Sequence, residues 1–444
     1  MFFFLLSLFQ KFKPMDRRDF IKTAALAGAA YVFDACRTPF ASGGKDGPTG
    51  KALAPWQKGQ FQVHFIYTGA CESLFLIVPD GTSMLLDCGE MDTLGLGWRA
   101  VPRLPDHSRL AGEWIARYVE RVNPYGRDVD YMMLSHYHCD HAGSETTYSF
   151  DKAGETLPYA LSGFGEAARW LRFGKAFDRC WPDYTEPIPL LDDAQRVMSQ
   201  MRKFYEYQTK HNGLAVERFQ VGATDQVRML HRPGAYRSFQ VRNICGNGYI
   251  ADAEGHLTDL YAGEKEGKDR INENAFSLGM IFRYGPFRFF TAGDFSHRWK
   301  KKDGTPVDIE KDLARVVEPC QVSKINHHGH QSMPTELVSA LRSRVWINST
   351  WNQRHCTDDT LEHLIDRNAY PGDRVVCPGM MPPERRELMK EKGRESMLDD
   401  VAKESFEGGH IVLTVEKGGQ SYSVSYVTAA DESMTVRSVL RFKA

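Results

Sequence analysis

From residue 60 onward the chain alternates short apolar blocks with Gly, Pro and Asp punctuation, interrupted by longer stretches of helical periodicity. Phe61 to Tyr67, Leu74 to Pro79 and Met84 to Leu86 read as strands, the last ending at Asp87, with Asp80-Gly81 as a tight-turn signal. From His107 to Val122, apolar residues at Leu110, Trp114, Ile115, Tyr118, Val119 and Val122 have the spacing of an amphipathic helix. Val129 to Leu134 follows as a buried strand. This order of strand, helix and strand predicts an α/β fold whose site lies at strand carboxyl ends.

Residues 145–230 carry weaker signals: a helix over Asp192 to Tyr207 and the aromatic stretch Cys180-Trp181-Pro182-Asp183-Tyr184. Strands return at Ser238 to Cys245, Phe276 to Tyr284 and Phe287 to Ala292, with Tyr284-Gly285-Pro286 as the hairpin. Thr335 to Leu341 reads as a helix, Val345 to Asn348 as a short strand, and Glu384 to Glu404 as a charged, solvated helix. Ile411 to Val415 and Tyr422 to Val427, joined by Gly418-Gly419, form a closing hairpin.

The densest chemistry follows the strand at Val129. Ser135-His136-Tyr137-His138-Cys139-Asp140-His141-Ala142-Gly143 holds three imidazoles and a carboxylate within six residues. Such a cluster repels itself on protonation and costs desolvation for little packing return. A divalent cation removes both problems, because neutral His and ionised Asp are the forms it binds.

That run resembles the His-x-His-x-Asp-His signature of the metallo-β-lactamase superfamily, in which His136 and His138 would bind one metal and Asp140 and His141 a second. Further stretches extend the resemblance in the family's order. Val63 to Ser73 followed by Met84 to Gly89 is similar to its first hairpin, closest to the ComEC hydrolase-domain-like group. Asn272 to Ser277 and then Phe289 to Asp294 resemble the later strand that delivers a bridging aspartate, and Lys324 to His330 resembles the motif that supplies a final histidine. The resemblance implies an αββα sandwich over residues 59–430, with residues 145–230 as an insertion roofing the site and residues 431–444 as a tail. It also implies a metal set of His136, His138, Asp140, His141, Asp294, His327 and His328, with Asp87 orienting ligands from behind. His327 and His328 are adjacent, so on an extended strand only one can face the metal. The family's remaining histidine slot is not clearly filled: His211, His231 and His256 are the candidates. His231-Arg232-Pro233-Gly234 is similar to its context, yet Ala235 stands where a second histidine would fall.

Two divalent ions roughly 3.5–4 Å apart can share a hydroxide, lower its pKa and neutralise charge on the attacked oxygen. Imidazole with carboxylate suits zinc, and manganese or iron also fit. His138, where a glutamate would stand, weighs against the diiron, oxygen-reducing branch. Catalytic candidates are Asp140, the motif carboxylate, and His355, which matches a late histidine of the ComEC-like group. His355 would polarise a phosphoryl oxygen or protonate a leaving group. The resemblance favours hydrolysis of a phosphate ester, expected to be a phosphodiester. A lactonase or other carboxyl-ester hydrolase, and a non-catalytic binding protein with an incomplete site, remain as alternatives.

Composition adds bounds. The 444 residues are 42 % hydrophobic with a formal net charge of −1, so no global basic field recruits nucleic acid or anionic membrane. Asp16-Arg17-Arg18-Asp19-Phe20 followed by Thr23 to Ala30 resembles a twin-arginine export signal spanning residues 1–36. Export to the periplasm is therefore expected, with Cys36 as a candidate lipid-anchor site and residues 37–58 as a flexible tether. None of the nine cysteines forms a C-x-x-C pair, which disfavours a structural zinc knuckle; most read as buried thiols.

Overall fold

A computed structural model describes residues 49–69, 71–91, 101–143, 157–184, 192–262, 272–301 and 303–444. The export-signal segment, Cys36 and the tether up to residue 48 lie outside them. In chain order the elements are β1 (Phe61–Phe65), β2 (Leu74–Ile77), β3 (Ser83–Leu86), α1 (Ala111–Val122), β4 (Asp128–Met133), α2 (Cys139–Ala142), α3 (Phe164–Ala167), β5 (Arg172–Asp178), α4 (Asp192–Asn212) and β6 (Ala215–Arg218). Next come β7 (Phe239–Gly246), β8 (Tyr249–Ala251), β9 (Leu257–Asp259), β10 (Gly279–Tyr284), β11 (Phe287–Thr291), β12 (Arg298–Lys300), β13 (Pro306–Asp308), α5 (Ile309–Leu313) and β14 (Val322–Lys324). The chain closes with α6 (Thr335–Leu341), β15 (Val345–Asn348), α7 (Asp358–Ile365), β16 (Val375–Pro378), α8 (Pro383–Glu391), β17 (His410–Val415), β18 (Ser421–Val427) and β19 (Val436–Lys443).

The strands form two large mixed sheets, ordered β19-β18-β17-β1-β2-β3-β4-β5-β6 and β16-β15-β14-β11-β10-β7-β8-β9. Alternate residues of the first sheet, among them Phe61, Val63, Leu76 and Met133, pack against Met280, Phe282, Phe289 and Ile347 of the second. The opposite faces are covered by helices. Phe75, Leu85 and Met132 meet Ile115 and Val119 of α1 and Phe204 of α4. Ile281, Phe290 and Trp346 meet Leu337 and Leu341 of α6 and Leu361 of α7. Strands buried on both faces explain why the apolar blocks read as continuous runs.

Each sheet changes from antiparallel to parallel pairing near its middle: β4 runs parallel to β3, and β14 runs parallel to β11. The carboxyl ends of β3 and β4 carry Asp87 and the metal-loop run, and those of β11 and β14 carry Asp294 and His328. Neighbouring parallel strands thereby place these segments side by side.

Several expectations are corrected. Residues 145–230 are not, in their described part, a separate insertion: β5 and β6 extend the first sheet parallel to β4. The apolar side of α4, with Ala194, Met201 and Phe204, packs on that sheet. Residues 431–444 are not a tail, because β19 pairs with β18 from Val436 to Lys443. The tether is likewise tied down after residue 49, where the Gly50 N–H donates to the Val436 carbonyl at 2.8 Å and the Leu53 N–H to Met434 at 2.8 Å. The long charged helix ends at Glu391 and short 3₁₀ turns follow; Met389 within the helix and Met397 beyond it are buried. Of the eight described cysteines all but Cys139 are buried. No helix among the described residues is long and apolar enough to cross a membrane.

Candidate metal centre

The metal loop leaves β4 and enters the single turn α2. Asp87, fully buried with φ +59°, grips its start. Its Oδ1 accepts from the Ser135 N–H at 2.7 Å, and its Oδ2 accepts from the Ser135 hydroxyl at 2.7 Å and meets His141 Nδ1 at 2.8 Å. The last contact turns His141 Nε2 towards the site. Asp87 thus fixes the start of the loop and the orientation of the His141 ring.

Around Asp294 Oδ2 the ring nitrogens converge: His141 Nε2 at 3.3 Å, His328 Nε2 at 3.3 Å and His136 Nε2 at 4.0 Å. Asp140 Oδ2 lies 3.1 Å from His328 Nε2 and 3.9 Å from His141 Nε2. His138 joins through its Nδ1, 3.0 Å from His136 Nε2.

The charge pattern fits a cation. His141 and His328 bring their Nε2 atoms within 3.2 Å of each other, a contact that shared metal ligation relieves. Burial and then the neighbouring imidazoles keep His136 neutral, well below the usual histidine value. Burial opposes charge on His328 as well, but Asp294 and Asp140 outweigh it and lift its pKa to about 10. His141 is raised in the same way by Asp294, Asp140 and Asp87. Both shifts mark the cluster as a place where positive charge is favoured. Asp294 Oδ1 and Glu72 Oε2 are buried without a hydrogen-bond partner. Glu72, His141, Asp294 and His328 form a buried group able to hold a metal ion.

Glu72 was missed in the sequence. The signal was an acidic residue between two strands that are buried throughout, where an isolated charge is costly. Its N–H donates to the Asp140 carbonyl at 2.9 Å, docking the β1–β2 connection on the metal loop. Its Oε1 pairs with Lys324 Nζ at 2.9 Å and its Oε2 lies 3.4 Å from His328 Nδ1. Lys324 also donates to the Gly293 carbonyl at 2.7 Å and sits 3.9 Å from Asp294 Oδ1. Asp294 therefore turns one oxygen to the imidazoles and the other to an ammonium.

His327 stands apart. Its ring contacts Ser296 Oγ at 3.0 Å through Nδ1 and Asn274 Nδ2 at 3.1 Å through Nε2, and burial holds its pKa down to about 4. The two histidines lie on a tight turn, with φ +49° at His327 and +51° at His328, and not on an extended strand; this left-handed path swings only His328 to the cluster. None of the candidates for the extra histidine reaches it. His211 stacks on Tyr207, His231 pairs with Asp130 at 3.0 Å, and His256 pairs with Asp252 on an exposed loop.

Above the cluster opens a cavity of about 500 Å³ lined by His138, Asp140, Arg196, Trp351, Arg354 and His355, among others. His355 stacks on His328 at 5.3 Å with 10° between the planes, and its Nδ1 has no hydrogen-bond partner. Burial and the nearby His328 and His330 keep it neutral, well below the usual value. Arg196 comes from α4, so the 145–230 region does contribute one wall. Scanned against protein-family models, the chain matches none, and a search of curated proteins finds no match.

Proposed function

We propose that the protein is a metal-dependent hydrolase of phosphate esters, most simply a phosphodiesterase, with the αββα sandwich of the metallo-β-lactamase superfamily. The observation that carries this reading is the convergence of His136, Asp140, His141, Asp294 and His328, drawn from three separate segments and both sheets, at the floor of a cavity walled by two arginines. Two divalent ions are the proposed occupants, zinc by ligand chemistry. His136 and His138 would hold one, Asp140, His141 and His328 the other, with Asp294 between them. When bound, such ions supply Lewis-acid polarisation and lower the pKa of water.

The chain's own side chains supply the rest. Guanidinium groups pair with phosphate oxygens bidentately, so Arg196 and Arg354 favour an anionic diester over a neutral lactone. Neutral His355 offers a ring that can hydrogen-bond a phosphoryl oxygen or pass a proton to a leaving group. The site residues stay enclosed beneath the cavity, which strengthens their electrostatic grip.

The test is turnover by zinc- or manganese-reconstituted protein on bis-p-nitrophenyl phosphate, single-stranded DNA and an acyl-lactone. Phosphodiester hydrolysis that vanishes in His138→Ala and Asp294→Ala is the expected result. Turnover of lactone alone retires the phosphodiesterase reading, and substantial residual activity in either variant displaces the reaction centre.

A further inference from the structure

Asp87 grips the metal loop at Ser135 and His141, but the loop has a second handle. Tyr137, between the ligands His136 and His138, is held at both ends by buried groups that no metal-binding role accounts for. Its N–H donates to Glu273 Oε1 at 3.0 Å, and its hydroxyl donates to both oxygens of Asp178 at 2.8 Å. Glu273 is clamped by Arg179 through two parallel bonds of 2.8 Å, Nε to Oε1 and Nη2 to Oε2. The guanidinium also donates to Asn247 Oδ1 at 2.6 Å and lies over the Tyr137 ring at 4.8 Å and the Phe276 ring at 4.6 Å. Arg179 and Glu273 side chains are 1 % and 2 % exposed.

The network spans the two sheets. Asp178 ends β5 and Arg179 follows it in the first sheet, whereas Asn247 lies in the β7–β8 turn and Glu273 opens the 3₁₀ turn before β10 in the second. Burying an ion pair is weak evidence for stability, since apolar replacements of similar volume often fold as well. A two-pronged pair gives orientation instead. Here it fixes the residue whose neighbours must point two imidazoles at a centre completed by Asp294 and His328 from the other sheet.

We infer that Arg179, Glu273 and Asp178 are positioning residues that lock Tyr137, and through it His136 and His138, in register with the ligands of the second sheet. This rests on the metal-binding reading above but not on any substrate. Outer partners that orient metal ligands typically change affinity by about 10–100-fold when removed.

The test compares wild type, Tyr137→Phe and the double variant Arg179→Met with Glu273→Met. Zinc affinity is measured by competition with a chromophoric chelator, and unfolding of the metal-free protein by a thermal melt. Tyr137→Phe should weaken zinc by about tenfold and the double variant by about 10–100-fold, with cooperative melts retained in both. A lowered melting temperature with unchanged zinc affinity in Tyr137→Phe reduces the network to plain scaffolding and overturns the inference. If the double variant fails to fold, Tyr137→Phe alone decides. A wild-type protein that takes up no zinc defeats the metal reading and the clamp together, whereas wild-type uptake matched by both variants defeats only the clamp.

Discussion

Replacing Lys324 by Met isolates a buried carboxylate, and the structure bounds the cost. Lys324 and Glu72 side chains are 0 % and 1 % exposed and meet at 2.9 Å. Removing one member of such a pair typically costs about 3–5 kcal/mol. Glu72 has an escape, because a stranded carboxylate can take up a proton, and burial already raises its pKa. With 4.5 as the ordinary value, keeping it protonated at pH 7 costs about 3.4 kcal/mol at 1.36 kcal/mol per pH unit. At pH 5 the same ceiling is about 0.7 kcal/mol. The sign follows: a carboxyl that must be neutral in the fold costs nothing below its unfolded pKa and progressively more above it. Metal-free Lys324→Met should therefore be less stable than wild type at pH 7 by up to about 3 kcal/mol, with most of that deficit gone by pH 5. Urea unfolding at both pH values, in chelator and with unchanged m, measures it. Adding Glu72→Gln should restore most of the loss. A deficit equal at both pH values would mean that Glu72 is already neutral in the wild type, and the ion pair beside Asp294 would have to be abandoned.

The divided roles of the adjacent histidines give a second prediction. His328→Ala should lose most metal binding, while His327→Ala should keep metal within about threefold and weaken the turn through its lost Ser296 and Asn274 contacts by roughly 1–3 kcal/mol; elemental analysis after dialysis decides, and equal losses in both variants refute the assignment. A third concerns pH. His328 titrates at about 10 and His141 is raised above the usual 6.5 in the metal-free protein, so their charged forms stabilise that fold fully below 6.5 and the contribution is lost as pH rises through about 10 for His328. Metal must displace these protons, so apparent affinity should climb with pH by about tenfold per unit for each proton released. Affinity that stays flat between pH 6.5 and 9 in isothermal titration contradicts this.

What could be foreseen from the chain divides along physical lines. His136, His138, Asp140 and His141 were legible because one strand and one short turn hold them, so their spacing alone sets their meeting. Asp87 and Asp294 stood out as acids ending apolar strands, Asp294 directly after Gly293, and the resemblance suggested their roles. Glu72 was not, since its place depends on the β1–β2 connection docking against the Asp140 carbonyl. Nor was Lys324, which reads as an ordinary basic residue until β14 proves fully buried. The histidine couple was expected to part by strand alternation, whereas a left-handed turn separates His327 from His328.

The misread regions share one cause. β5 and β6 are seven and four residues long with exposed or half-buried positions in each, and β19 is mostly half-buried at a sheet edge. Edge and near-edge strands bury too little to impose an apolar pattern, so their place comes from backbone pairing with a neighbour that local sequence does not reveal. The same reasoning explains why the site itself was more readable than the sheet around it. Groups that must meet a charge are costly to bury and stand out wherever they occur, whereas a peripheral strand needs only a partner. Arg179 and Glu273 fall between these cases: each is conspicuous only once both are known to be buried, and their pairing joins the two sheets beside Tyr137.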